Sequence, residues 1–132
     1  MKVYAFDVDE TLGISRGPVK LQALLDLKKQ GEILGICGNW GKFVQEVSGW
    51  NHLISFIGSG VVETTQGVIY GDKAWFLFNW KKYIPAEDFI LVGNALGEDN
   101  GMGIPGGSDD KGSAERAGWR FIKEEAFARG ER

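Results

Sequence analysis

The sequence predicts an α/β fold: a Rossmann-like three-layer sandwich with a mainly parallel sheet. Three observations carry this. Short apolar runs alternate with amphipathic helical stretches, which implies crossover connections between parallel strands. The chain has 132 residues, the length of one domain, and is large enough to bury a core. No internal repeat or interdomain linker interrupts it, so 1–132 reads as one domain.

Lys2 to Phe6 reads as a short buried strand that stops at Asp7. Gly17-Pro18 opens a helix, with Pro in its first turn and Leu21, Leu24 and Leu25 as its apolar stripe. Lys28 and Lys29 suit the negative end of that helix, and Gly31 caps it. Glu32 to Cys37 is a second strand, followed by a Gly38-Asn39 turn. A short helix over Lys42 to Ser48 shows Phe43, Val44 and Val47 on one face. Leu53 to Ile57 is a third strand, and Val61 to Tyr70 a small hairpin around Gln66-Gly67. Asp72 to Tyr83 is helical until Pro85 intervenes, and Phe89 to Gly93 is a fourth strand. A glycine-rich insert (95–109) follows. Lys111 to Ala117 forms the last helix, Gly118 ends it, and Trp119 to Ile122 is a fifth strand. The tail, Lys123 to Arg132, carries mixed charge and reads as a solvated helix or frayed end.

Composition excludes several classes. Fifteen Lys and Arg against eighteen Asp and Glu give a net charge of −3, with no basic field for nucleic acid. One cysteine makes no internal disulfide, so a disulfide-stapled secreted scaffold is excluded. No apolar run approaches the roughly 20 residues of a membrane span. The first residues meet acids too early for a signal peptide. A soluble, cytoplasmic protein is the expectation. Glycine is the outlier, 20 of 132, and seven lie between Gly93 and Gly112, so the excess needs a local reason.

In doubly wound sheets, ligands bind at the carboxyl ends of the strands. The first strand ends in Asp7-Val8-Asp9-Glu10-Thr11, the second in Cys37-Gly38-Asn39, the fourth in Gly93-Asn94. Two carboxylates leaving a buried strand are costly unless neutralised. A Mg²⁺ ion neutralises them well, because it takes oxygen ligands and bridges to phosphate. A carboxylate facing a phosphate can act as nucleophile, and a second one turn away can move protons. A lysine and loop amides would balance phosphoryl charge. The plainer alternative is that Asp7 and Asp9 are turn residues at a strand end.

Asp7-Val8-Asp9-Glu10-Thr11-Leu12 after an apolar strand resembles the first motif, DxDxT, of the haloacid dehalogenase-like (HAD) phosphohydrolases. The resemblance covers nearly the whole chain, from Met1 to about Ile122, in the small capless form of the family. It implies Asp7 as the nucleophile that becomes an aspartyl-phosphate. It implies Asp9 as general acid and base, with its backbone carbonyl on Mg²⁺. It implies Lys73, 21 positions before Asn94, as the charge-balancing lysine, in preference to Lys81 and Lys82 near the helix end. Thr11, Cys37, Gly38 and Asn39 would surround the phosphoryl group, and Asp7, Asp9, Asn94 and Asp110 would form the metal site. The expected function is therefore a Mg²⁺-dependent phosphomonoester hydrolase acting on a phosphorylated substrate of unspecified class.

Two departures stand out. Cys37 occupies the position where the family has Ser or Thr, and a thiol is the weaker donor. Asn94 replaces the first acid of the fourth motif. The later run Asp110-Lys111-Gly112-Ser113-Ala114-Glu115-Arg116-Ala117-Gly118 resembles the family's closing helix and makes Asp110 the second acid, with Glu98, Asp99 and Asp109 as alternatives. These departures keep open a catalytically degenerate module that binds phosphate or a partner protein. Two rivals fail on position. A cysteine phosphatase loop needs an arginine six residues after its cysteine, where Phe43 stands. A receiver-like switch needs an acid after the third strand, which ends Phe56-Ile57-Gly58. His52, the single histidine, reads as structural. Trp75, Phe76, Phe78 and Trp80 cannot all face inward on one helix, so self-association through the outward ones is an expectation.

Overall fold

The computed structural model describes residues 1–58, 61–70, 72–94 and 109–132, with backbone alone for 61–64 and 67–70. Most of the glycine-rich insert, with Glu98 and Asp99, lies outside the described residues.

Five strands form one parallel sheet in the order β3-β2-β1-β6-β7. They are β1 (Lys2–Phe6), β2 (Ile33–Cys37), β3 (Phe56–Gly58), β6 (Asp88–Gly93) and β7 (Arg120–Lys123). Between β3 and β6 lies an antiparallel hairpin, β4 (Val61–Thr64) with β5 (Gly67–Tyr70). Its turn falls at Thr65-Gln66, one residue earlier than expected.

Helices cover both faces, which is why the strands are apolar throughout rather than alternating. Tyr4, Phe6, Leu34, Ile36, Ile90 and Val92 point to one face. There they meet α1 (Leu21–Lys29), α2 (Trp40–Glu46), α3 (Trp50–Leu53) and α6 (Glu124–Ala128) through Leu24, Phe43, Leu53 and Phe127. Val3, Ala5, Cys37, Phe89 and Leu91 point to the other, against Leu77 of α4 (Lys73–Tyr83) and Ala114 of α5 (Asp110–Ala117). Asp7 follows Ala5 and Val3 in the β alternation, so it leaves the sheet on the α4 side.

Several expected elements are displaced. The first helix begins at Leu21, not Pro18, because Val19 is held beside Leu12, donating to the Thr11 carbonyl and accepting from Gly13. Gly17 lies so close to the Thr11 backbone that a side chain there would collide. The buried stripe of α1 is accordingly Leu24 and Leu27, while Leu21 and Leu25 are exposed. Leu53 ends α3 instead of opening a strand, and β3 starts at Phe56. Gly35 lets the Phe56 ring lie flat across β2, where a Cβ would strike it.

The tail differs most. Residues 124–128 form α6, and Phe127 is fully buried, edge-on to Tyr4 at 6.1 Å and Phe6 at 5.3 Å. The Arg132 guanidinium stacks over the Phe127 ring at 4.0 Å. Short-range charge hides this anchor in the sequence.

On α4, Leu77 is buried and Phe76 and Trp80 are half-buried, while Trp75 and Phe78 are 61% and 58% exposed. Among the described residues no helix is long and apolar enough to cross a membrane.

Candidate active site at the carboxyl edge of the sheet

The strand order reverses between β1 and β6: the chain builds outward from β1 to β3, then returns to the other side of β1. A crevice opens at the carboxyl ends of strands at such a reversal. Asp7 leaves β1 there, with its amide donating to the Val92 carbonyl of β6 at 2.9 Å. Asn94 leaves β6 beside it. The Asn94 amide donates to Asp110 Oδ2 at 2.9 Å, and the Asp110 amide returns a bond to the Asn94 carbonyl at 3.1 Å. Asn94 and Asp110, on either side of the insert in sequence, therefore lie side by side.

Lys73 opens α4, capped by the Asp72 side chain on the Trp75 amide. Its Nζ lies 3.1 Å from Asp7 Oδ1 and 2.6 Å from Asp110 Oδ1. Three residues from distant parts of the chain thus share one buried ion network. Asp7 is 4% exposed and Asp110 fully buried. Burial pushes the Asp7 carboxyl up to about 7; Asp110 pushes the same way, and the Lys73 ammonium opposes both. Burial works against the charge on Lys73, yet Asp7 and Asp110 hold its pKa above the ordinary lysine value. One ammonium between two desolvated carboxylates leaves a local excess of negative charge.

Asp9 lies two residues on, at the site's open side, and two side chains grip it. Ser15 Oγ donates to its Oδ1 at 2.8 Å, and Asn39 Nδ2 approaches Oδ1 and Oδ2 at 3.2 and 3.3 Å. Ser15 reaches Asp9 because a single 3₁₀ turn (Gly13–Ser15) folds back, ending with Arg16 in the left-handed region. Glu10 also has a positive φ of 60°, at the point where the chain leaves Asp9. Sequence reasoning missed Ser15, since only the backbone reversal brings it to Asp9.

Two glycines shape the crevice. A Cβ on Gly38 would strike Asp7 Oδ1, and one on Gly93 would strike the Asp110 carboxylate. These are the close approaches that make glycine necessary there.

The remaining expected residues divide. Asn39 reaches the site through its side chain, which also caps α2 by accepting from the Lys42 amide. The Gly38 amide donates to the Gly58 carbonyl at 3.3 Å. Thr11 is fully buried, and its Oγ1 has no partner among the described residues. Cys37 is buried among Phe56, Phe76, Leu77 and Trp80. Asp109 caps α5 by accepting from the Gly112 amide at 2.9 Å and faces Arg116, so Asp110 alone of the pair enters the network. Lys81 donates to the Gly118 carbonyl at 2.7 Å, away from the crevice. Glu124 is a residue that sequence reasoning assigned to solvent. It is 7% exposed and lies against the Asn94 side chain.

Among the described residues no three His, Cys, Asp or Glu side chains form a ready metal cluster. Lys73 joins the Asp7 and Asp110 carboxylates, and beside them the Asn94 side-chain amide lies 3.3 Å from the Asp9 carbonyl and faces Glu124 with its other end. The carboxylate, carbonyl and amide oxygens of these groups are hard donors, the chemistry that suits Mg²⁺ and not a soft metal. Comparison with family models, with curated proteins and with solved structures finds no match.

Proposed function

We propose that the chain is a Mg²⁺-dependent phosphomonoester hydrolase of the HAD type, acting through an aspartyl-phosphate on Asp7. The observation that carries this reading is the Lys73 bridge between Asp7 and Asp110. It joins the three side chains to which the resemblance gives the roles of nucleophile, charge balance and metal acid.

In this reading an Asp7 carboxylate oxygen attacks phosphorus, and the bond from phosphorus to the leaving oxygen breaks. Asp9, exposed to substrate and oriented by Ser15 and Asn39, gives its proton to that oxygen. A water then attacks the phosphorus of the acyl phosphate, and Asp9 takes the water's proton. Inorganic phosphate leaves and the Asp7 carboxylate is restored. Lys73 balances charge on the phosphoryl oxygens throughout. Asp7, Asp110, the Asp9 carbonyl and Asn94 would hold the ion, which when bound would offset the charge gathered at the crevice. The Asp7 carboxyl, raised to about 7 by burial, needs that compensation to be fully ionised at neutral pH.

The Cys37 departure favours a second reading, a degenerate module that binds phosphate without turnover, because the buried thiol packs among aromatic rings. A cytoplasmic setting suits the lone thiol, and the exposed Trp75 and Phe78 suit a second copy or a bulky substrate. Hydrolysis of an aryl phosphate with and without Mg²⁺ separates the two readings. The enzyme reading expects Mg²⁺-dependent release that Asp7→Asn abolishes. Equal rates for the native protein and Asp7→Asn refute it.

A further inference from the structure

The Asn94 side chain sits between two acceptors. On one side the Asp9 carbonyl oxygen is 3.3 Å from one end of the amide. On the other, the Glu124 carboxylate oxygens are 3.2 and 3.0 Å from the opposite end. An amide has one nitrogen, so it satisfies one of them. A carboxylate is the stronger acceptor, because a bond to a charged group is about twice as strong as one between neutral groups. The nitrogen therefore belongs to Glu124, and Asn94 Oδ1 is turned toward the Asp9 carbonyl. That orientation sets two acceptor oxygens face to face with no proton between them.

A hard cation resolves this. Oxygens around octahedral Mg²⁺ lie at about 2.0–2.1 Å, so neighbouring ligands stand about 3 Å apart. The 3.3 Å between the two positions is close to that edge length. The register explains how Glu124 comes to be there. Gly93 pairs with Lys123, so the residues after β6 and β7, Asn94 and Glu124, leave the sheet side by side. Glu124 is nine-tenths buried, which fixes its carboxylate.

We propose that Glu124 is a positioning residue: it takes the Asn94 amide nitrogen and thereby presents Asn94 Oδ1, with the Asp9 carbonyl, as a neutral pair of ligands for a divalent cation. The chain thus moves a carboxylate from the ligand position to the position behind it. Asp at 94 would set two carboxylates against each other, whereas Asn accepts the neighbour. This rests on the metal-dependent reading above, and the following test separates the two.

The test is Mg²⁺ and Mn²⁺ affinity of the full chain, measured by calorimetry and by Mn²⁺ spin resonance with no substrate present. Groups that orient a metal ligand carry about 10- to 100-fold in affinity. Glu124→Ala should weaken binding by that factor, while Glu124→Gln, which keeps an acceptor oxygen for the Asn94 nitrogen, should stay within a few-fold. In an Asn94→Ala background Glu124→Ala should have little further effect, because Glu124 acts through Asn94. Native-like affinity in Glu124→Ala, or an equal loss in both backgrounds, overturns the proposal and leaves the enzyme reading standing. A native protein that binds neither ion at millimolar concentration overturns both. If Glu124→Ala fails to fold, the Asn94 side-chain ¹⁵N resonance decides. It should shift on adding Mg²⁺ to the native protein and to Glu124→Gln, and an unmoved resonance refutes the assignment.

Discussion

Asp7→Asn should make the metal-free protein more stable while removing the nucleophile of the proposed hydrolase. Asp7 is 4% exposed, so solvent does little to screen it. Its carboxyl is raised from 3.8 to about 7, first by burial and then by Asp110, against the pull of Lys73. The difference of about 3 units corresponds to about 4 kcal/mol at 1.36 kcal/mol per unit, taken as an upper bound. The folded protein keeps the Asp7 proton between about pH 4 and pH 7, where the unfolded chain has released it. Stability of the native sequence therefore falls as pH rises through that window and stays low above it. Asn carries no charge, so its variant loses that slope, and Lys73 keeps Asp110 as a partner at 2.6 Å. Urea unfolding in chelator at pH 4.5 and pH 8 reads the effect. The variant should lie within about 1 kcal/mol of the native protein at the lower pH and exceed it at the higher one, by up to about 4 kcal/mol. Adding Mg²⁺ at pH 8 should stabilise the native protein alone, by about 2.7 kcal/mol at one hundred times its Kd. A variant that is less stable than native at pH 8, or a difference that does not vary with pH, contradicts the burial argument.

Phe127→Ala should cost about 3–5 kcal/mol in urea unfolding, because the ring is fully buried against Tyr4 and Phe6; a loss below about 1 kcal/mol would mean that α6 is not part of the core. Ser15→Ala removes the 2.8 Å bond that orients Asp9. Such bonds to charged groups carry about 1.5–3 kcal/mol, so kcat should fall about 10- to 100-fold with KM little changed; an unchanged kcat would show that Asn39 alone suffices.

The parallel sheet was legible because its strands are short apolar runs ended by Asp7, Cys37 and Gly93, and burial on both faces demands that composition. The resemblance singled out Lys73 and Asp110, and the Lys73 ammonium sits between Asp7 and Asp110. What escaped depends on contacts across the fold. The start of α1 is set by the pairing of Val19 with Leu12, which no periodicity announces. Ser15 approaches Asp9 only through a reversal with Glu10 and Arg16 at positive φ, a conformation uncommon for either residue. Glu124 looked solvated because Lys123 and Glu125 flank it. The register of β7 on β6 and the buried Phe127 turn it inward. In the aromatic run of α4 the sequence shows that not all rings fit the core. The outward pair, Trp75 and Phe78, is decided by Gly58 and Phe56, which receive Phe76 and Trp80.

In the proposed hydrolase a carboxylate oxygen of Asp7 accepts the phosphoryl group. Acid-quenching the protein during turnover of an aryl phosphate in Mg²⁺, followed by pepsin digestion at acid pH and mass spectrometry of the peptide that contains Asp7, tests this directly. A phosphoryl adduct on Asp7 that is lost with alkali and missing from Asp7→Asn is expected. Sustained turnover with no adduct on that peptide, or an adduct that survives the substitution, would contradict it.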